Sequence, residues 1–91
     1  MKKVRYSTQF RKDFKRYKNK PEKVDALRNL TKLFEEGKPI PPEYSPHPLS
    51  GKYKGFMECH IENNFLLIWF DESQQIVCFE RLGTHHELFG I

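Results

Sequence analysis

Ninety-one residues, 37% hydrophobic and 14% aromatic, suit one domain over residues 1–91 with a small core and marginal stability. The net charge of +4 is uneven: residues 1–20 hold nine Lys or Arg against one Asp, the remainder seven against eleven acids, which fits either a solvated face or a polyanion footprint. Two cysteines exclude a disulfide scaffold, no apolar run reaches membrane-span length, and the first twenty residues lack a signal peptide's apolar stretch, so the chain reads as a cytoplasmic protein with no membrane role and buried, reduced thiols.

Val4-Arg5-Tyr6 predicts a short edge strand, and Ser7 or Thr8 can cap the helix that follows. Phe10, Phe14 and Tyr17 form its apolar stripe, with Arg11, Lys12, Lys15, Arg16 and Lys18 on the other faces. A second helix opens at Pro21, carries Val24, Leu27, Leu30, Leu33 and Phe34 inward, and stops near Gly37. About three residues join the two, which predicts an antiparallel hairpin.

Residues 38–48 hold five of the six prolines, which rules out a helix or a central strand there. From Lys52 the pattern turns to period two. Tyr53, Met57, Cys59 and Ile61 share one parity, and Lys54, Phe56, Glu58 and His60 the other. Asn63-Asn64 marks a turn, Phe65 to Phe70 a central strand, Asp71 to Gln75 a second turn, and Ile76 to Leu82 a last strand. Thr84 can cap a short helical turn through Phe89. The expected fold is α+β: an N-terminal strand and a two-helix hairpin on one face of a four-stranded, mainly antiparallel sheet, then a short C-terminal helical turn.

His60 lies near the end of its strand on the side of Lys54 and Glu58, which is either an ordinary solvent-facing polar side or the start of a site. His47 sits between two prolines on a stiff loop, His85 and His86 open the last turn, and Arg81 ends the last strand. Arg81 shares parity with the apolar Val77 and Phe79, so either those residues line the same face or a bulge near Glu80 rotates the strand end. Cys59 and His60 point to opposite sides, Cys78 is remote, and no paired ligand spacing appears, so neither metal nor cofactor is expected. Cleaving RNA through its own 2′-hydroxyl needs a base, an acid and a cation on the phosphorane; imidazoles suit the first two roles and Lys or Arg the third.

His47-Pro48-Leu49-Ser50-Gly51-Lys52-Tyr53-Lys54-Gly55-Phe56, Glu58-Cys59-His60-Ile61 and Arg81-Leu82-Gly83-Thr84-His85-His86-Glu87-Leu88-Phe89 resemble the signature segments of the YafQ-like branch of the RelE/ParE toxin superfamily. That resemblance implies the toxin of a type II toxin–antitoxin pair, a metal-independent endoribonuclease that cuts messenger RNA in the ribosomal A site. Its partners would be the ribosome, the message and a cognate antitoxin, with operator DNA bound only through the antitoxin complex. By position it implies His47, His60 and His85 as the catalytic histidines, Glu58 in the place of an Asp, Arg81 on the scissile phosphate and Phe89 fixing substrate or the terminal turn. His60 and His85 would share base and acid duties, with His47 supporting. Lys52, Lys54, Arg11, Lys12, Lys15 and Arg16 complete the expected substrate contacts. Asn64 stands where the resemblance implies an Asp and cannot exchange a proton, so that role is lost or falls to Glu58 or Glu62.

Two other readings fit the composition: a ParE-like toxin that inhibits DNA gyrase by contact alone, and a plain RNA-binding module. If the first helix supplies the polyanion contacts, charge reversal at Arg11, Lys12, Lys15 and Arg16 weakens ribosome binding and flattens its salt dependence. Sedimentation with purified ribosomes at two ionic strengths checks this.

Overall fold

The computed structural model describes residues 1–90. The sheet is centred on β4 (Phe65–Asp71), whose first five residues are all buried, as a strand covered on both faces requires. β5 (Ile76–Gly83) and β3 (Met57–Glu62) flank it antiparallel, and β1 (Lys3–Tyr6) adds to β5 in parallel. A fifth strand, β2 (His47–Pro48), pairs with β3, giving the order β1-β5-β4-β3-β2. The sheet therefore has five strands, not four. Two residues are too short to show a period, and Pro48 is tolerated because β2 is an edge.

α1 (Thr8–Phe14) is capped by Ser7, whose hydroxyl accepts the Phe10 N–H at 2.9 Å. It ends a turn earlier than its apolar stripe implies, so residues 15–20 connect it to α2 (Pro21–Glu35). Tyr17 falls in that connection yet is buried, its ring 4.7 Å from Phe65. α2 starts on Pro21 and stops at Gly37, where φ is +71° and the Gly37 and Lys38 amides close on Phe34 and Leu33 carbonyls. β3 begins only at Met57: residues 51–53 form a 3₁₀ turn and Gly55 has φ +94°. Lys54 consequently sits in a turn and does not share a strand face with His60.

The two faces of the sheet are covered differently. Phe10, Tyr17, Leu27, Leu30 and Phe34 pack against Cys59, Leu67, Trp69, Val77, Phe79 and Leu82. On the opposite face Leu66 and Ile68 meet Leu88 of α3 (His85–Phe89), with Leu49, Tyr53, Phe56 and Phe89 around them. β5 changes parity midway. Pairing steps from Ile68↔Arg81 to Trp69↔Phe79, leaving Glu80 as an extra residue. The bulge sends Phe79 and Leu82 to the helix face and turns Arg81 to the other, which decides between the two alternatives open from parity. No helix among the described residues is long and apolar enough to cross a membrane.

β1 ends opposite Phe79, and side chains satisfy the rest of the β5 edge. Ser7 donates its hydroxyl to the Glu80 carbonyl, and Asp13, 1% exposed, accepts the Leu82 N–H at 3.0 Å. Asp13 also accepts Arg81 Nε–H at 2.8 Å and Gln9 at 3.1 Å. Burial pushes its carboxyl up, but these hydrogen bonds outweigh that and hold it below the ordinary carboxylate value. A depressed carboxyl stabilises the fold above its unfolded pKa of about 3.9, and that contribution disappears as pH falls through the folded value. Asp13→Ala should cost about 3 kcal/mol at neutral pH by urea unfolding, and the gap to wild type should narrow as pH falls below about 4.

Candidate active site

Strand register gathers the polar residues on the face away from the helix pair. His47 pairs with Glu58, Glu58 with Ile68, and Ile68 with Arg81, forming one row across four strands. The next row is His60, Leu66 and Gly83. α3 starts directly after Gly83, which carries His85 to this second row. A capping box fixes that start: Thr84 Oγ1 accepts the Glu87 N–H at 3.1 Å, and Glu87 Oε1 accepts the Thr84 N–H at 2.9 Å. Glycine is needed at 83 because a Cβ there would lie 2.7 Å from Glu87 Oε1.

The rings of His47 and His60 are 6.2 Å apart, those of His60 and His85 5.7 Å, and His85 lies 6.3 Å from Phe89. His47 Nδ1 is 2.8 Å from the carbonyl of Ser45. Ser45 has φ +49°, in the left-handed region that non-glycine residues rarely occupy. His47 Nε2 lies 3.2 Å from Glu58 Oε1, and His60 Nε2 lies 3.8 Å from the same oxygen. Glu58 is 4% exposed, and its Oε2 is buried with no hydrogen-bond partner among the described residues. A buried carboxylate oxygen left without a donor is costly. The Nδ1 and backbone N of His85 both meet Asn64 Oδ1, at 2.9 and 3.1 Å.

Arg81 lies two strand spacings from Glu58, about 10 Å along the row. Its Nε and Nη2 bond Asp13, and its Nη1 donates to Tyr53 Oη at 3.0 Å. The hydrogen bond to Asp13, with that to Tyr53, raises the guanidinium above its ordinary value against the effect of burial. Three of its five N–H groups are thus engaged and two are left.

The structure brings His47, Glu58, His60, His85 and Phe89 together, with Arg81 on the same face. Lys52 lies 5.7 Å over the Tyr53 ring, flanking Arg81, and Lys54 is exposed in its turn. Arg11, Lys12 and Lys15 are exposed along and just after α1, whereas Arg16 lies 3.8 Å from both Asp13 and Glu87. His86 is exposed. Sequence reasoning missed Asp13 and Tyr53, the residues that hold Arg81. The available signal was Asp13 itself, the one acid among nine cations. A hollow of about 410 Å³ borders His60, lined also by Tyr44, Ser45 and Asn63.

Glu58, His60 and His85 each bring one potential ligand atom within 4.8 Å of the others, while Asn64 and the strand pairing already account for how they are held. The thiols take no part. Burial, with the nearby Glu58 adding to it, pushes Cys59 up to about 12, and burial raises Cys78.

The mixed sheet with a helix pair on one face and a short C-terminal helix is the fold of solved bacterial toxin structures. Residues 2–90 match the family model described as bacterial toxin of type II toxin-antitoxin system, YafQ. The mRNA interferase toxin YafQ of Escherichia coli K12 is 36% identical over 88 residues, covering 96% of this chain and 95% of that protein. The crystal structure of YafQ from E. coli BL21(DE3) matches with a TM-score of 0.87 at 33% identity, covering 99% of this chain and all of that one. The E. coli DinJ–YafQ complex matches with a TM-score of 0.83 at 34% identity over 99% of this chain and 100% of that one. The chain belongs to the YafQ family of bacterial type II toxins.

Cys59 and Cys78, 0% and 2% exposed, should resist a thiol-reactive chromophore in the native protein and react only on unfolding.

Proposed function

We propose that this chain is the toxin of a type II toxin–antitoxin pair and cuts messenger RNA on the ribosome by metal-independent acid–base chemistry. The observation that carries this reading is the run of three imidazoles beside a buried carboxylate, on the face that also holds Arg81. One imidazole takes the 2′-hydroxyl proton, the 2′-oxygen attacks the adjacent phosphorus, and another imidazole protonates the departing 5′-oxygen. The two unengaged N–H groups of Arg81 receive the charge that builds on the phosphate. Dependence on the 2′-hydroxyl makes RNA the substrate and excludes DNA.

Exposed Arg11, Lys12 and Lys15, with Lys52 and Lys54, contact ribosomal or messenger phosphates, and Phe89 supports the ring of His85. In the cytoplasm the partner is a cognate antitoxin, as DinJ is for YafQ in the E. coli complex, and operator DNA is reached through that complex. A toxin acting on gyrase by contact alone has no use for a buried carboxylate set between imidazoles.

Purified ribosomes with a defined message, read by primer extension, test the proposal. Wild type should cut in the presence of EDTA. His60→Ala and His85→Ala should each lose about a hundredfold or more in rate while keeping the wild-type circular dichroism spectrum. Native-rate cleavage by either variant removes that residue from the mechanism.

A further inference from the structure

We propose that Asn64 locks His85 in the Nδ1–H tautomer, making the bare Nε2 of His85 the general base. The base role rests on the nuclease reading above; the tautomer does not. A backbone N–H can only donate, so the Asn64 atom 3.1 Å from the His85 amide must be the carboxamide oxygen. That settles which way the carboxamide points without reference to the ring. The same oxygen lies 2.9 Å from His85 Nδ1. An amide oxygen only accepts, so the hydrogen is on Nδ1. A neutral imidazole has a single N–H, and Nε2 is left with its lone pair.

The fold makes this contact without help from sequence proximity. Asn64 is in the two-residue turn between β3 and β4, and His85 is the first residue of α3, 21 positions on. The His85 amide is a first-turn donor with no partner inside its own helix, so Asn64 caps α3 and orients the ring with one oxygen. An uncharged carboxamide holds the proton on Nδ1 without the added stabilisation that a carboxylate gives an imidazolium. The groups facing His85 across the site are His60 and Glu58 of β3. Arg81 of β5 is engaged by Asp13 and Tyr53, and Glu87 on α3 is engaged by Tyr17 and Thr84.

His47 is held by a different pair of contacts. Its Nδ1 meets the Ser45 carbonyl and must donate, while its Nε2 faces Glu58 Oε1 at 3.2 Å. His60 neighbours both other rings, 6.2 Å from His47 and 5.7 Å from His85. An in-line displacement needs base and acid on opposite sides of phosphorus. His85 Nε2 takes the 2′-hydroxyl proton as the 2′-oxygen bonds to phosphorus. The bond from phosphorus to the 5′-oxygen breaks, and that oxygen leaves with a proton from a second imidazole. The products are a 2′,3′-cyclic phosphate and a 5′-hydroxyl.

Long-range ¹H–¹⁵N correlation spectra of the full-length, ¹⁵N-labelled protein read each imidazole tautomer directly. In wild type at a pH where His85 is neutral, its Nδ1 should show the protonated shift and its Nε2 the unprotonated one. Asn64→Ala should mix the tautomers and lower kcat about tenfold with little change in KM. Asn64→Asp restores the acceptor and should keep both the Nδ1–H pattern and cleavage within about threefold of wild type. An Nε2–H tautomer in wild type overturns the proposal, as does native-rate cleavage by Asn64→Ala. The wild-type spectrum decides the tautomer even if Asn64→Ala does not fold. A wild-type protein with the Nδ1–H pattern that cuts no message overturns the nuclease reading and the base role, and leaves the tautomer lock standing.

Discussion

The carboxylate of Asp13 joins three things that would otherwise be independent: the end of α1, the unpaired edge of β5 and the guanidinium of Arg81. Each needs the other two. Leu82 has a backbone N–H beyond the end of β1 that water cannot reach, and an acceptor must come from somewhere. Arg81 has been turned off the helix face by the Glu80 bulge and would otherwise carry a half-buried charge without a partner. A buried ion pair of this kind adds little net stability over an apolar replacement. It adds definition instead, because only one placement of α1 satisfies all the donors at once.

The opposite side of the sheet is organised by the reverse tendency. There the polar groups are incompletely satisfied: among the described residues Glu58 Oε2 has no partner, His60 has only a distant carboxylate, and Arg81 keeps two N–H groups free. The surrounding apolar residues Tyr53, Phe56, Leu88 and Phe89 hold these groups in place without neutralising them. Such a surface costs folding free energy, and a small domain has little to spare. The aromatic core on the helix side, where Phe34 contacts both Trp69 and Phe79 and Phe10 contacts Phe79, offsets that cost. Site and core thus occupy opposite faces of one sheet, coupled through the bulged strand.

Much of this was legible in the residues. The order of strands and helices, the caps at Ser7, Pro21, Gly37 and Thr84, and the central place of Phe65–Phe70 follow from period and capping chemistry, which act over a few residues. The fifth strand, the early end of α1 and the late start of β3 did not. β2 exists only because β3 offers an edge, and Tyr17 is buried by a turn, not by continuing a helix. Local propensity has no access to either fact.

The same division applies to the site. The residue types in the chain determined that imidazoles, a guanidinium and a cationic first segment would be available, and the motifs around His47, His60 and His85 pointed to the family. What those groups can do together was decided by tertiary structure. Register placed His47, Glu58 and Arg81 in one row, the bulge chose the face of Arg81, and Asn64 met His85 across 21 residues. Hydrogen-bond direction, which assigns each proton, depends on distances of about 3 Å between groups far apart in sequence. One-dimensional spacing cannot encode such distances, because they arise only when strands and helices pack.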